Sequence, residues 1–264
     1  MAPDTIPTNQ HNPVEHIIHF IILTLQPACI YKVPLPEEYG ILDLVIVLPD
    51  SYSKAFSHYE RIIDIAGIHH SNFRFSLHHA AHLGQKLATG SFFFNSVCIP
   101  ANQLYNNGNI ILPVLNEEQL APLATKALDR FNTSHQSATS FLQGAKFYKK
   151  QLQHSMAAFM LHQCIELSFR GVVMALTGSD VRTHSISTLL TNTWRVAPGM
   201  NKLFPTDTNW DKTFLPWLDS IYCDSRYKEG FTIAPEQLAI LYKRAQQVHA
   251  TAKQVCVEIL EQVQ

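Results

Sequence analysis

The most constraining feature of this sequence is one long helical pattern at residues 151–176. Apolar side chains recur in it at intervals of three, four and seven residues: Met156, Phe159, Met160, Leu167 and Met174. That spacing is typical of an α-helix that buries one face. The pattern therefore predicts a long helix that faces the core and around which the chain is organised.

A second, polar row advances along the same stretch in steps of four residues: His154, Ala158, His162, Glu166 and Arg170. Residues four apart on a helix can touch, so we predict contacts of Glu166 with both His162 and Arg170. Each contact is worth roughly a few tenths of a kcal/mol. This polar side of the helix is the first candidate for a functional site.

The segment after this helix ends it and adds further ionisable side chains. Gly178 can adopt the left-handed conformation that ends many helices. Arg182 and His184 follow in a loop, just before the next helical pattern. Together, the helix and its loop are the most site-like stretch of the chain.

The overall composition shows no strong electrostatic character. The chain has 264 residues, of which 46% are hydrophobic and 16% are charged, and its formal net charge is −1. This length allows one large domain or two ordinary ones. The charge balance gives no footprint for nonspecific nucleic-acid binding and no support for membrane-surface binding, so we expect no membrane partner.

Cysteine usage and the N-terminus indicate the compartment. The five cysteines are scattered and contain no CxxC pair, which favours reduced thiols. No Lys or Arg precedes Lys32, so the chain lacks the basic start of a secretory signal. We therefore expect a cytoplasmic protein.

Fourteen histidines are the one unusual feature of the composition, and five lie close together: His69, His70, His78, His79 and His82. His78 and His82 would share a helical face, as metal ligands often do. The nearest carboxylate is Asp64, no cysteine is close, and the spacing matches no familiar zinc set. We expect surface histidines, and we predict no bound metal and no other cofactor.

The chain changes character near residue 115. Residues 1–11 are polar and contain prolines, which predicts a disordered tail. Residues 12–115 alternate helical and strand patterns, with Pro49-Asp50-Ser51 capping a helix that runs to about Ala66, and predict an α/β domain. Residues 116–264 predict an all-α, up-and-down bundle, with helices at about 116–149, 151–176, 186–194, 211–224 and 235–263. The predicted fold class is therefore α+β with two domains.

Three segments of the helical region, in this order, are similar to those of one known family. Residues 157–166 resemble its second helix, residues 182–186 resemble the loop motif after that helix, and Ser225-Arg226-Tyr227 resembles an Arg-Tyr signature before the last helix. Residues 151–264 thus resemble the HEPN family, small helical-bundle domains found beside minimal nucleotidyltransferases. The resemblance implies a helical bundle that forms a homodimer.

The resemblance implies two classes of function. Some HEPN domains are toxins or defence ribonucleases that cut RNA without metal, with an Arg-x(4–6)-His motif at a homodimer cleft. Others are companion domains that bind a nucleotide or a substrate for a nucleotidyltransferase.

The spacing Arg-x(4)-His occurs three times in this chain: Arg74–His79, Arg130–His135 and Arg244–His249. Only Arg244 and His249 lie in the last helix, near where the ribonuclease motif belongs, and they are the catalytic candidates. His249 would act as acid or base and Arg244 would stabilise the pentavalent phosphate. In the family motif a polar residue usually follows the Arg, but here Ala245 does. An offset of five residues on a helix also turns the two side chains about 140° apart, so they could share one cleft only with a partner chain or a bend in the helix.

The N-terminal region is similar to a minimal nucleotidyltransferase in its order of helix, strand, strand and helix. The working enzyme needs a Gly-Ser pair after the first strand and an Asp-x-Asp pair that holds magnesium. Here residues 28–33 lead into no Gly-Ser, and Ile41 stands where the first carboxylate belongs, which leaves Asp43 as the lone remnant. We predict an inactive pseudoenzyme module with a structural or regulatory role.

Two interpretations of the polar residues in the bundle remain open. In the first, a groove for a nucleotide or phosphate is lined by His162, Glu166, Arg170, Arg182, His184, Arg226 and Tyr227. Arg182 and Arg226 would bind phosphate oxygens and Tyr227 would stack on a base. In the second, Glu166 pairs with Arg182 or Arg226, and His184 caps the next helix.

We therefore predict a homodimeric, noncatalytic protein that binds a nucleotide, a nucleic-acid-related ligand or a protein partner. The first alternative is a metal-independent ribonuclease of the toxin–antitoxin or defence type, which would act on RNA as a homodimer. A second alternative is a nucleotidyltransferase that is still active.

Overall fold

The computed structural model describes residues 13–68, 72–205 and 209–261. The predicted tail at 1–11 and His69 and His70 of the histidine group lie outside the described residues. The chain forms two compact units: the first comprises Met1–Thr89 and Phe94–Val114, and the second comprises Gly90–Phe93 and Leu115–Gln264.

The first unit is built from alternating helices and strands, as its sequence pattern predicts. The helices are α1 (Pro13–Leu25), α2 (Phe56–Gly67), α3 (Ala80–Ala88) and α4 (Phe92–Val97), of which α4 spans the boundary between the units. The strands are β1 (Cys29–Lys32), β2 (Leu42–Leu48), β3 (Phe73–His79) and β4 (Gln103–Asn106). The order in the sheet is β3-β2-β1-β4.

Strand β2 lies inside this sheet and is buried along nearly its whole length. It runs antiparallel to β1, with Cys29 opposite Val47, and parallel to β3, with Leu42 opposite Phe73. The core consists of buried side chains of the strands, α1 and α2: Ile17, Ile21, Leu25, Ile30, Leu44, Ile46, Leu48, Tyr59, Ile63 and Leu77. A continuous apolar run is thus explained by burial.

The predicted start of α2 is wrong, because Asp50 serves another helix. Helix α2 begins at Phe56, and both carboxyl oxygens of Asp50 accept from the backbone N–H of Ala81, at 3.0 and 3.2 Å. Asp50 therefore satisfies a free N–H in the first turn of α3, 31 residues away in sequence. A local capping pattern could not reveal that partner.

The histidine group does not share a helical face. His78 lies on β3 and His82 lies on α3, so the prediction that they would line one helix is wrong. His82 is exposed, whereas His78 and His79 are half-buried, and His79 stacks on Phe56 with ring centroids 4.8 Å apart. Among the described residues, no group of three or more His, Cys, Asp or Glu side chains is placed to hold a metal ion.

The second unit is a bundle of five longer helices: α5 (Glu117–Lys150), α6 (His154–Thr177), α7 (Ile186–Val196), α8 (Asn209–Tyr227) and α9 (Pro235–Glu261). Helix α6 packs against the other four. Gly171 permits the close approach of α5, since a Cβ at that position would lie 2.8 Å from Cβ of Ser134. Within the described part of the chain, no strand follows β4.

Both ends of α6 are set by left-handed residues. Gly178 ends the helix with φ 71° and donates its N–H to the carbonyl of Met174, as predicted. At the other end the predicted helix is too long, because Leu152 has φ 57° and breaks the helical path between α5 and α6. Residues 151–153 therefore form the turn of an α5–α6 hairpin.

By length and composition, α6 is the one helix among the described residues that could cross a membrane. Its apolar window is 67% buried within the protein, and fourteen of its residues are buried. These are the properties of the central helix of a bundle, which is apolar all round because neighbours surround it.

Candidate functional site

The polar residues of the bundle meet where α6, α8 and the loop after α6 come together. On α6 the row Phe159, His162, Glu166 and Arg170 follows helical spacing, and on α8 the residues Asp219, Tyr222 and Arg226 do the same. The loop contributes Asp180, Arg182 and His184. We call these residues, with Gln163 and Tyr227, the α6–α8 cluster.

Glu166 is the centre of the cluster and is 1% exposed. Its Oε1 accepts from Nη1 of Arg170 at 3.3 Å, and its Oε2 accepts from Nδ1 of His184 at 3.0 Å. Gln163 also donates to Oε2 at 2.8 Å, and Nδ1 of His162 lies 3.9 Å from it. These donors provide the compensation that a buried carboxyl group requires.

The predicted contacts of Glu166 with His162 and Arg170 are confirmed. The alternative pairing of Glu166 with Arg182 or Arg226 is wrong. The carboxyl group of Glu166 instead accepts hydrogen bonds from Arg170 on the same helix and from His184 in the loop.

Asp180 connects the helix to the loop. One carboxyl oxygen accepts from Nη2 of Arg170 at 2.8 Å, and the other accepts from Nε of Arg182 at 3.2 Å. These two hydrogen bonds, that of Arg170 first, hold the pKa of Asp180 below its usual range. The Arg182 side chain is nevertheless 88% exposed, so most of its guanidinium faces solvent.

An aromatic layer covers the other side of the cluster. The rings of His184 and Tyr222 are stacked, with centroids 3.9 Å apart and planes inclined by 12°. Nη1 of Arg226 donates to the Tyr222 hydroxyl at 2.6 Å. The Arg226 guanidinium lies over three rings, those of Phe159, Tyr222 and Tyr227, at 5.0 to 5.7 Å from their centroids.

Arg226 is the arginine of this cluster that has no carboxyl partner among the described residues. Arg170 and Arg182 both pair with Asp180, whereas no carboxyl group in the described ranges lies within 4.0 Å of Arg226. Arg226 is exposed, and its neighbour Tyr227 is 70% exposed. This edge of the cluster therefore offers a positive charge and an aromatic ring to solvent.

The start of α7 is capped by Ser185 and Asp219, so the expectation that His184 caps it is wrong. The Ser185 hydroxyl accepts from the N–H of Thr188 at 3.1 Å. The carboxyl group of Asp219 accepts from the N–H groups of Ile186 and Ser187 and from the hydroxyls of Ser185 and Ser187. A carboxyl group is a better acceptor for these free N–H groups than an imidazole ring that already donates to Glu166.

His162 is a buried member of the cluster. It is fully buried, and burial lowers its pKa to about 4, although Glu166 opposes this shift. Its Nε2 atom has no hydrogen-bond partner in the part of the chain that the structure describes. The neutral ring therefore belongs to the interior, beneath the exposed side chains of Arg182, His184, Arg226 and Tyr227.

All seven predicted groove residues thus belong to one continuous network of contacts. Sequence reasoning did not assign five members of the cluster to the site: Phe159, Gln163, Asp180, Asp219 and Tyr222. The spacing of Asp219, Tyr222 and Arg226 along one helical face was the signal that could have found two of them.

Arg244 and His249 on α9 face different helices. The Arg244 guanidinium lies over the rings of Phe204 and Phe214, 5.4 Å from each centroid. The His249 ring stacks on His135 of α5, with centroids 3.9 Å apart, and its Nε2 lies 2.9 Å from the Thr139 hydroxyl. Burial lowers the pKa of His249 and of His135.

In the first unit, Asp43 lies on β2 and is fully buried. Its partner in the parallel register is Arg74 on β3. Ile41, which the resemblance predicts at the position of a first carboxylate, immediately precedes the strand.

Comparison with known proteins bears on the helical unit alone. The family model of the HEPN domain matches residues 131–255, which begin within α5 and end within α9. No curated protein matches the chain. The match contains all of α6, α7 and α8 and both sides of the α6–α8 cluster. This chain therefore contains a HEPN domain, formed by residues 131–255.

Proposed function

We propose that the HEPN domain binds a nucleotide or a nucleic-acid-related ligand at the exposed edge of the α6–α8 cluster, without catalysis. The observation that carries this proposal is Arg226, an exposed guanidinium without a carboxyl partner among the described residues, beside the exposed ring of Tyr227. A guanidinium is suited to phosphate oxygens because its N–H groups form a planar fork.

Within this proposal the cluster has two layers with different tasks. The buried layer, centred on Glu166, holds the loop that carries Arg182 and His184 against α6. The exposed layer contacts the ligand: Arg226 and Arg182 bind phosphate, and Tyr227 stacks on a base. Arg182 can exchange one hydrogen bond to Asp180 for bonds to phosphate, because its side chain is 88% exposed.

A thermal-shift screen of nucleotides tests this proposal, followed by titration calorimetry of any nucleotide that raises the melting temperature. We expect Arg226→Ala to weaken binding by at least roughly tenfold, since a charge-assisted bond to phosphate is worth about 1.5–3 kcal/mol. Arg61→Ala, at an exposed arginine on α2, is the matched control and leaves binding unchanged. If no nucleotide raises the melting temperature, the proposed site is wrong. It is also wrong if Arg182→Ala and Arg226→Ala show the same shifts as the native chain.

The alternative ribonuclease rests on His249, whose lowered pKa favours the neutral ring that a general base needs. Against it, Arg244 packs between two aromatic rings and faces away from His249 within one protomer. Cleavage of RNA in the presence of EDTA, abolished by His249→Ala and by Arg244→Ala, would establish this activity. Uncut RNA is the result we expect.

We further propose that the N-terminal unit is an inactive relative of a nucleotidyltransferase. Its order of helix, strand, strand and helix supports the relationship, and Ile41 in place of a carboxylate supports the inactivity. Label transfer from ATP that requires magnesium and disappears in Asp43→Asn would show the opposite. We also propose a homodimer formed through the bundle, which light scattering of the full-length chain can measure directly.

A further inference from the structure

The turn of the α5–α6 hairpin holds a leucine where the backbone favours glycine. Leu152 follows the last residues of α5 and has φ 57°. Its N–H donates to the carbonyl of Lys149 at 3.1 Å, and the N–H of Gln153 donates to the carbonyl of Tyr148 at 3.0 Å. These two bonds define a Schellman ending, in which the left-handed residue is usually glycine. Helix α6 of this protein does end with glycine, at Gly178.

Packing does not explain why a leucine occupies this strained position. The Leu152 side chain is 79% exposed, so it adds little to the core. Two further apolar side chains beside the turn are also exposed: Phe147 at 58% and Met156 at 42%. Strained residues that contribute nothing to folding are found preferentially at functional sites.

The charged side chains of the hairpin turn itself have one sign. Three exposed lysines stand in the last two turns of α5: Lys146, Lys149 and Lys150. From Arg130 to Ile165 the sequence contains no Asp or Glu, so no carboxylate of the hairpin itself offsets them. The net charge of −1, which argues against membrane binding, is an average that conceals this local concentration of positive charge.

We propose that this turn, defined by Phe147, Leu152, Met156 and the three lysines, docks on an anionic lipid bilayer. The apolar side chains enter the boundary between headgroups and acyl chains, and the lysines lie among the anionic headgroups. The turn joins two helices and exposes its apolar side chains, and a bilayer can accept such a turn without a complementary pocket.

The other possible occupants fit the turn less well. A nucleic acid would match the lysines and could stack one base on the exposed ring of Phe147, but the aliphatic side chains of Leu152 and Met156 offer it nothing. A second copy of the chain would bring the same lysines face to face, and like charges repel. An anionic bilayer matches both the charge and the aliphatic side chains.

Sedimentation of the full-length chain with lipid vesicles tests the proposal. The two vesicle types contain phosphatidylcholine alone or equal parts of phosphatidylcholine and phosphatidylserine. We expect binding to the mixed vesicles, weakened by added salt, and little binding to the neutral vesicles. Equal binding to both, or no binding to either, overturns the proposal.

Two variants separate docking from folding. Leu152→Gly relieves the backbone and should melt at the same temperature as the native chain or higher, yet its vesicle binding should fall roughly tenfold or more. Lys149→Glu should weaken binding similarly, whereas Lys126→Glu, the matched control about 35 Å away along α5, should not. If Leu152→Gly binds vesicles as tightly as the native chain, the proposal is wrong.

A parallel experiment with single-stranded RNA tests the other anionic partner that the lysines could bind. RNA binding that falls with Lys149→Glu but persists in Leu152→Gly, in a chain that ignores both vesicle types, would assign the lysines to nucleic acid and overturn the proposal.

Discussion

The helical unit contains two polar contacts between helices, and they treat charge in different ways. The α6–α8 cluster surrounds the buried carboxyl group of Glu166 with donors and leaves Arg226 without a carboxyl partner among the described residues. The contact between α5 and α9 consists of the stacked rings of His135 and His249 and the hydroxyl of Thr139. The first contact presents one arginine at the surface without a carboxyl partner among the described residues, while the second is a contact between two rings whose pKa values burial lowers.

This difference teaches where a ligand can bind and where it cannot. Thr139 donates its hydroxyl hydrogen to the carbonyl of His135 at 2.9 Å, so its oxygen accepts from Nε2–H of His249. His249 is thus engaged in holding two helices together. Arg226, by contrast, has donors left for a phosphate. We therefore expect a ligand at the α6–α8 cluster. Variants of the two contacts test this difference between them.

The largest expected effect is that of Glu166→Ala. It removes the acceptor of Arg170, Gln163 and His184 at once and leaves a cavity beside the fully buried His162. We expect a loss of about 3 kcal/mol in the free energy of unfolding, measured with urea. Glu258→Ala, at an exposed glutamate that bonds Gln254, is the control and should stay within about 0.5 kcal/mol. A loss below 1 kcal/mol would mean that Glu166 does not organise the cluster.

Next in size is Asp219→Ala, which removes the acceptor at the start of α7. The N–H groups of Ile186 and Ser187 lose their partner, and we expect a loss of about 1–2 kcal/mol in urea unfolding. Asp224→Ala on the same helix is the matched control. If Asp219→Asn is as destabilised as Asp219→Ala, the charge matters, and if it is as stable as the native chain, hydrogen bonding alone suffices.

Acidification should weaken the histidine contact and thereby sharpen the comparison. Burial lowers the pKa of both His135 and His249, so below about pH 6.5 the unfolded chain binds more protons than the folded chain. The contribution of this contact to stability is therefore complete above that pH and is lost as the pH falls. Burial of His162, whose pKa is about 4, acts in the same direction.

Urea unfolding across this pH range measures the effect. His249→Phe should reduce the dependence of stability on pH below about 6.5, because one titrating ring is gone. His82→Phe, at an exposed histidine of the first unit, should leave the dependence unchanged. An unaltered pH profile in His249→Phe would show that the contact is not sensitive to acid.

The smallest effect on stability is expected for Arg226→Ala. Among the described residues its exposed guanidinium hydrogen-bonds the Tyr222 hydroxyl and lies over three rings, so the free energy of unfolding should fall by no more than about 1 kcal/mol. The same variant should lose nucleotide binding. A large loss of stability would instead make Arg226 a structural residue and remove the contrast between the two contacts.

Periodicity predicted the elements well where burial is continuous. β2 reads as an apolar run because it lies inside a sheet. The existence of α6 was predicted, but its core-facing stripe was wrong: Met156 is exposed and the other four stripe residues are half-buried, whereas Leu161 and His162 are buried. The start of α6 was placed three residues early, since nothing in residues 151–153 reveals the left-handed Leu152. The resemblance to HEPN domains, drawn for residues 151–264, overlaps the family match at 131–255, which begins earlier, within α5.

The site was predicted in part because its contacts are of two kinds. The contacts of Glu166 with His162 and Arg170 lie within one helix and follow from spacing. Asp219 at the start of α7 and Asp50 at the start of α3 act across 32 to 34 and 31 residues respectively, so no local pattern could assign them. The prediction that Glu166 pairs with Arg182 or Arg226 was wrong for the same reason, because the sequence does not show which loop donor lies next to a buried carboxyl group.

The pairing of β1 with β4 has a consequence for how the chain is made. Cys29 lies opposite Asn106, and the N–H of Asn107 donates to the carbonyl of Ala28. A ribosome must therefore release about two fifths of the chain before the last strand can join the first. Until then β1 keeps one edge unpaired. The helical unit depends far more on neighbours in sequence, such as the α5–α6 hairpin, and can fold quickly once it emerges.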